Sequence, residues 1–244
     1  MQDKIEQLRA MIQNSRHLCV FSGAGISVPS GIPDFRSASG LYNQPDVSGY
    51  APEQIISHSF FEKHTELFYR FYREKMIFEN ARPNAAHLYF AQLEQGGKDV
   101  SVVTQNIDGL HRQAGSKKVY EIHGTIYKNH CLGCGKFFDL QAIAHAPQTV
   151  PHCDVCGGII KPDVVLYEES LDDAVVQQAV QAIHSADTLL VIGTSLSVYP
   201  AASFLQFFGG SHLAVINKTK TSASVHGALE IYDDIVHVID QLRS

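Results

Sequence analysis

Four short apolar runs constrain most of what this chain can fold into. Residues 17–21 (His-Leu-Cys-Val-Phe), 100–103 (Val-Ser-Val-Val), 188–192 (Thr-Leu-Leu-Val-Ile) and 212–216 (His-Leu-Ala-Val-Ile) have the length and β-branched content of buried strands. Shorter runs at 119–122 and 228–232 read the same way. The segments between them carry helical signals. Ile5, Leu8, Met11 and Ile12 predict a helix over 3–15, and the Phe- and Tyr-rich stretch 60–76 predicts a second. Pro83-Asn84 opens a third, which stops at Gly96-Gly97. Two more are expected over 200–208 and 233–242. Strands alternating with helices predict an α/β fold, a parallel sheet with helices on both faces.

Each strand run ends in a cluster fit for chemistry, where open α/β sheets hold ligands. After the first comes Ser22-Gly23-Ala24-Gly25-Ile26-Ser27, closely spaced glycines before an expected helix start, an arrangement that lets backbone approach a pyrophosphate. The usual third glycine is missing: Val28 stands there and the next glycine is Gly31. An ordinary hydride-transferring dehydrogenase is therefore not supported. Phe35 and Arg36, in the irregular loop that follows, suit either a ribose cover and a phosphate clamp or plain packing and solvation. After the second run come Gln105, Asn106, Ile107, Asp108 and His111, with amides that both donate to and accept from sugar hydroxyls. The 119–122 run leads to His123-Gly124. One histidine among 13 carries little weight alone, but an imidazole at a strand end beside these clusters is placed for acid–base work.

Composition removes other classes. The 244 residues carry a net charge of −6 with no basic run, against the footprint of a nucleic-acid binder. No apolar run reaches the roughly 18 residues of a membrane span, and the N-terminus lacks the form of a signal peptide, so a cytoplasmic protein is expected. Of five cysteines, Cys19 lies inside a strand run and reads as core. The others form Cys131-x2-Cys134-x18-Cys153-x2-Cys156, two knuckles able to close a tetrahedral shell around one structural zinc ion. Gly133, Gly135, Gly157 and Gly158 supply the tight turns. His130 and His152 abut the knuckles and are expected not to be ligands.

Taken together, Gly-Ala-Gly-Ile-Ser (23–27), Gly-Ile-Pro-Asp-Phe-Arg (31–36), Thr-Gln-Asn-Ile-Asp-Gly-Leu-His (104–111), His123-Gly124, the four cysteines, Gly-Thr-Ser-Leu-Ser-Val-Tyr-Pro (193–200) and Ile216-Asn217 resemble the sirtuin family, in particular a bacterial deacetylase-like member. The resemblance runs over roughly residues 5–243. It implies a Rossmann-type domain (1–35, 81–124 and 163–244), a helical insertion with a cofactor loop (36–80) and a zinc-binding module (125–162). It also implies NAD-dependent protein lysine deacetylation, in which NAD is a co-substrate. The partner would be an acylated lysine in a protein or peptide, with neither nucleic acid nor membrane involved.

Residue roles follow from the same resemblance. Gly23, Ala24, Gly25, Phe35 and Arg36 would flank the phosphates and the nicotinamide ribose. Gln105, Asn106, Ile107 and Asp108 would line the ribose and nicotinamide pocket, with Asp108 receiving the carboxamide. Gly193, Thr194, Ser195, Asn217, Lys218 and Ile235 would hold the adenosine half. Val164, Val165, Tyr167, Ser197 and Val198 would border the peptide. His123, with Asn106, would be catalytic. The implied chemistry is attack of the acyl-lysine amide oxygen on C1′ of the ribose, departure of nicotinamide, and removal of a proton by His123 through the ribose hydroxyls. Free lysine and O-acyl-ADP-ribose would result. Mono-ADP-ribosyl transfer and a preference for succinyl or malonyl groups are the alternatives. Acid-preferring relatives carry a Tyr and, three residues on, an Arg. Here Tyr69 is followed by Tyr72, with Arg70 and Arg73 off that position, so a neutral acyl group is expected. One departure stands out: many sirtuins have Phe-Gly-Glu where this chain has Tyr167-Glu168-Glu169.

Overall fold

The computed structural model describes residues 1–35, 37, 40–43, 49–221 and 227–244. Six parallel strands form the main sheet in the order β3-β2-β1-β7-β8-β9. They are β1 (His17–Ser22), β2 (Asp99–Thr104), β3 (Val119–Glu121), β7 (Thr188–Ile192), β8 (His212–Asn217) and β9 (Leu229–Tyr232). All the expected runs are present. Strand side chains alternate, so neighbours on one strand serve opposite layers. Leu18 and Val20 pack with α1 (Gln2–Asn14), α5 (Ala85–Gln95) and α9 (Ile235–Arg243). Cys19 and Phe21 face the other way, onto α8 (Asp173–Ser185) and the 3-10 segment Ala201–Phe207. Cys19 is fully buried and its thiol is pushed up to about 12 by burial, as a core residue should be.

A second, antiparallel sheet has the order β5-β4-β6, from β4 (Gly124–Cys131), β5 (Phe137–Phe138) and β6 (Ile160–Val164). It shares a hydrophobic core with the helices α2 (Pro52–Ile55), α3 (His58–Lys63), α4 (Thr65–Lys75) and α7 (Gln141–Ala144). Phe60, Phe61, Phe68, Tyr69, Phe71 and Tyr72 are all buried there. The single helix expected over 60–76 is two helices, because His64 leaves helical geometry at φ −133°, ψ 47°. Pro83 precedes the N-cap rather than opening the helix: Asn84 caps α5 by accepting from Ala86 N–H at 3.0 Å. Within 200–208, Ala201–Phe207 forms 3-10 rather than α-helix. Helix α8 was not among the expected elements, although Asp172 caps it by accepting from Val175 N–H.

The loop after β1 meets the loop after β7 at the point where strand order turns outward. No α-helix starts after the glycines; two 3-10 turns, Ala24–Ile26 and Val28–Ser30, carry the chain past β7. Gly25 N–H donates to the Gly193 carbonyl at 2.8 Å, and Gly23 N–H to the Ile192 carbonyl at 3.0 Å. A Cβ on Gly25 would lie 2.7 Å from Gly193 Cα, and one on Gly193 would lie 2.3 Å from Ile26 N. Gly193 also has φ +61°, a region costly for other residues. Two backbones thus cross at van der Waals contact, and the crossing itself requires these glycines. Gly193→Ala is expected to cost at least about 2 kcal/mol, combining overpacking against backbone with a left-handed residue. A denaturant midpoint equal to that of the unaltered chain would contradict this.

Candidate functional site

The carboxyl ends of β1, β2, β3 and β7 lie along one edge of the sheet, around the topological switch point between β1 and β7 where such sheets hold ligands. His123 lies two residues past the end of β3 and is half-buried. Its Nδ1 lies 3.0 Å from the Gln105 carbonyl. A carbonyl only accepts, so Nδ1 carries the proton and Nε2 keeps its lone pair. Burial lowers the imidazole pKa below its ordinary value, partly offset by the Gln105 hydrogen bond, so the neutral base dominates at pH 7. Gly124 must follow: its φ is +77° and a Cβ would strike the Asp163 carbonyl. Neighbouring Glu121 plays no part in this geometry, being paired with Arg112 at 3.0 Å.

Asp108 is half-buried, and its loss of solvation pushes the carboxyl pKa up, while hydrogen bonds pull it back. Ser27 Oγ donates to Oδ2 at 2.6 Å and Leu110 N–H to Oδ1 at 2.9 Å. Asn106 donates through Nδ2 to the Gly23 carbonyl at 3.2 Å and to Ser27 Oγ at 3.1 Å. Both amide protons are spent, leaving Oδ1 to accept from a ligand. Gln105 Nε2 donates to Thr194 Oγ1 at 3.1 Å. Thr194 is clasped by Asn217, which accepts from Thr194 N–H at 3.0 Å and donates to its carbonyl at 2.7 Å. The loops after β1, β2, β7 and β8 are therefore one hydrogen-bonded unit.

The remaining expected residues lie around this unit. Ala24 and Ile107 are half-buried, and Phe35 stacks obliquely on Tyr42 with ring centroids 5.5 Å apart. Arg36 lies outside the described residues. Ser195 Oγ and Ser197 Oγ are 2.6 Å apart, both residues being exposed. Exposed Lys218 pairs with Asp234 at 2.9 Å, and Ile235, the first residue of α9, is buried in the core. Val198 is half-buried and accepts from Ala202 N–H. Val164 ends β6, paired with Gly124, and Val165 N–H donates to the His123 carbonyl at 2.9 Å, which sets the expected peptide border beside the base. Tyr167 bridges in parallel to Ser57, and its hydroxyl lies 2.8 Å from that of Tyr42. The sequence reading assigned no role to Ser22, Ser27, Thr104, His87 or His111. Ser27 and His111 sat inside quoted motifs, but their partners lie about eighty positions away.

The four cysteine sulfurs lie within 4.8 Å of one another, with Cys131–Cys156 at 3.3 Å and Cys134–Cys153 at 3.7 Å. Tetrahedral zinc with bonds of about 2.3 Å requires sulfurs about 3.8 Å apart, so the set fits. Each knuckle adds an N–H to a sulfur: Gly133 to Cys131 at 3.3 Å and Val155 to Cys153 at 3.4 Å. A Cβ on Gly158 would come 2.9 Å from Cys131 Sγ. Neither adjacent histidine is a ligand, since His130 pairs with Asp163 and His152 Nδ1 bonds the Gly157 carbonyl. With four thiolates and no open position, zinc here would be structural.

Comparison with known proteins places the chain. A model of the Sir2 family matches residues 23–200. A protein of Clostridium acetobutylicum named NAD-dependent protein deacetylase is 53% identical over 238 residues, 98% of this chain and 97% of that one. One of the same name from Staphylococcus aureus strain Mu50 is 41% identical over 244 residues, covering all of both chains. Among solved structures, a Sir2 protein with a p53 peptide and NAD+ superposes with TM-score 0.86 at 34% identity, over 98% of this chain and 96% of that one. A Sir2 protein bound to a propionylated peptide superposes with TM-score 0.85 at 34% identity, covering 98% and 97%. The chain belongs to the Sir2 family.

Zinc is expected at about one ion per chain. Cys131→Ala or chelation should destabilise the β4–β6 sheet and lower the melting temperature. Metal analysis of freshly purified protein that finds no zinc, or unaltered melting after chelation, would overturn this.

Proposed function

We propose that the chain is an NAD-dependent protein lysine deacetylase, moving the acyl group from acyl-lysine to ADP-ribose with release of nicotinamide. The observation that carries this is His123, whose Nδ1 is held by the Gln105 carbonyl so that Nε2 keeps its lone pair, at the same strand ends as half-buried Asp108 and the unspent Asn106 Oδ1. Relatives named as deacetylases at 53% and 41% identity support it. Asp108 can accept the carboxamide N–H on the lone pairs that Ser27 and Leu110 leave free. Phe35 offers an apolar wall that keeps water from C1′ as nicotinamide leaves. Asn106 Oδ1 accepts from a ribose hydroxyl. His123 Nε2 then takes the proton that lets the 2′-oxygen attack the acyl carbon. Gly193, Thr194, Ser195, Asn217, Lys218 and Ile235 line the side assigned to adenosine, and Val164, Val165, Tyr167, Ser197 and Val198 the side assigned to peptide. The division at 1–35, 81–124 and 163–244, with insertions at 36–80 and 125–162, remains our reading. It is supported by the way the two sheets share out the strands. Four clustered thiols call for a reducing compartment, consistent with a cytoplasmic setting; no described helix is long and apolar enough to cross a membrane.

A neutral acyl group is favoured because both arginines of α4 are committed elsewhere, and Lys75, in its last position, pairs with Glu74. Arg73 donates to the Ile143 and Gln148 carbonyls at 2.7 and 2.9 Å, and exposed Arg70 faces Glu66. Tyr69 gives its hydroxyl to the Ile160 carbonyl, and burial keeps the phenols of Tyr69 and Tyr72 neutral. A terminal carboxylate would be buried without a counter-charge. The test is incubation with NAD and competing acetyl- and succinyl-peptides of one sequence, read by mass spectrometry. Deacetylated peptide, nicotinamide and O-acetyl-ADP-ribose are expected. ADP-ribosylated protein in their place would move the reading to a transferase, and succinyl preference would sink the neutral-acyl claim.

His123→Ala should keep the fold and lose roughly 10²–10⁴-fold in rate. In the unaltered chain the active form is the neutral imidazole. Activity should therefore fall only as pH drops through a value below the ordinary histidine pKa of about 6.5. An acid limb centred above that, or near-full deacetylation by folded His123→Ala, would contradict the assignment.

A further inference from the structure

Two histidines behind these strand ends have no part in the chemistry above, yet both are fully buried. Ser22 and Thr104, the last residues of β1 and β2, are register partners. Ser22 Oγ donates to Thr104 Oγ1 at 2.9 Å. A hydroxyl has one proton, so toward His111 Nε2, 3.0 Å away, Ser22 can only accept. His111 Nε2 therefore carries its proton and Nδ1 is bare, buried and without a partner among the described residues. In His87 the situation is reversed. Its Nδ1 accepts from Asn84 N–H at 3.3 Å, which puts the proton on Nε2, also buried and without a partner among the described residues. The unmet donor and the unmet acceptor stand on rings packed edge to face with centroids 4.8 Å apart. Desolvation holds both imidazoles neutral, His87 at about 4 and His111 well below its ordinary value.

Thr104 Oγ1 also accepts from the Asn106 backbone N–H at 3.1 Å, the bond that turns the chain out of β2. The polarity then runs without conflict from end to end. His111 donates to Ser22, Ser22 to Thr104, and Thr104 accepts from Asn106. On the far side Asn106 Nδ2 donates to Ser27, and Ser27 donates to Asp108. We propose that His111, set by its packing on His87, is a positioning residue for the reaction: through Ser22 and Thr104 it fixes the direction of the chain that holds Asn106, leaving Asn106 Oδ1 for the substrate. Without the His111 N–H, the Ser22–Thr104 bond can run either way. When it reverses, Thr104 turns its proton toward Ser22 and the acceptor geometry offered to Asn106 changes. The proposal rests on the deacetylase reading for its kinetic consequence, not for its geometry.

The test compares His111→Leu, which removes the donor, with His111→Gln, whose side-chain Nε2 can replace it. Nicotinamide release from NAD and acetylated peptide should fall about 10–100-fold in kcat for the Leu variant, as expected for a misplaced group, with KM for peptide within about threefold. The Gln variant should recover to within about fivefold of the unaltered chain at the same melting temperature as the Leu variant. Adding His111→Leu to Ser22→Ala should cost nothing further, since one path is already cut. Equal losses in both His111 variants, or an unaltered kcat in the Leu variant, overturn the proposal. If the Leu variant does not fold, Ser22→Ala, which removes the link itself, takes its place: it should lose kcat by the same roughly 10–100-fold while His111→Gln alone stays within about fivefold, and an unaltered kcat in Ser22→Ala overturns the proposal. Hydrogen exchange at the Asn106 N–H reads the chain without turnover. Faster exchange in a protein that releases no nicotinamide keeps the relay and removes the deacetylase reading; unaltered exchange removes the relay.

Discussion

The backbone crossing between residues 23–26 and Gly193 is the constraint on which the site depends. It brings the loop after β1 against the loop after β7 where strand order turns outward, and it does so at distances only glycine permits. Once they touch, the polar groups on each side fall into reach. Asn106 finds the Gly23 carbonyl, Gln105 finds Thr194, and Asn217 closes on Thr194 from β8. The gap where a ligand would lie is thus bounded by four strand ends bonded to one another rather than by separate loops. Preorganisation of this kind matters for a reaction in which a carbon must be held cation-like without admitting water.

The base has a second anchor. His123 sits between the parallel sheet, which ends two residues earlier, and β4, which starts at the next residue. Its ring is fixed by the first sheet through Gln105, and its carbonyl by Val165, just past β6. The cysteine cluster ties the far ends of β4 and β6 together, with Cys131 as the last residue of β4 and Cys153 and Cys156 just before β6. A metal bound there would therefore hold the frame between His123 and Val165 without lying at the strand ends. Loss of zinc and loss of the base should look different: the first loosens a module, whereas the second leaves the structure intact.

Much of this was legible in the chain. Apolar runs marked each strand of the main sheet, and cysteine spacing marked the metal cluster, because both signals are local. His123, Asn106 and Asp108 stood out by position at strand ends. What sequence concealed was set by distant contacts. The glycine loop reads as a helix start, yet its path is dictated by Gly193 some 170 residues on, which leaves room only for 3-10 turns. The break at His64 goes with a cluster of three rings, Tyr50, Phe60 and the His64 imidazole, each in contact with the other two. Helix α8 carried its own signal, an Asp172 cap with apolar Val175, Val176, Ala179 and Ile183 at helical spacing, and was there to be read. His87 gave none, and Ser22 and His111, although inside motifs, gave no sign of their partners, since these residues acquire a joint role only when the sheet brings them together.

The departure from Phe-Gly-Glu shows how such contacts can absorb an unusual residue. Glu168 stands where relatives often carry glycine, and its φ is +76°, a conformation that costs a non-glycine residue on the order of 1 kcal/mol or more. Its carboxylate accepts from Ser59 N–H at 2.8 Å and Ser59 Oγ at 3.0 Å, at the start of α3 where the helix dipole favours a negative charge. Glycine would relieve the strain and forfeit those bonds, so the two effects oppose each other and the net change is small. Tyr167 likewise uses the oxygen that phenylalanine lacks, bonding Tyr42 and so joining the peptide border to the segment that carries Phe35. Glu169 bonds Leu166 N–H, His58 and Lys161, holding the same border from beneath. Both departures add ties between the helical segment and the peptide border, and neither touches His123, Asn106 or Asp108. They therefore bear on the proposed peptide border, and leave the proposed chemistry at the strand ends unaltered.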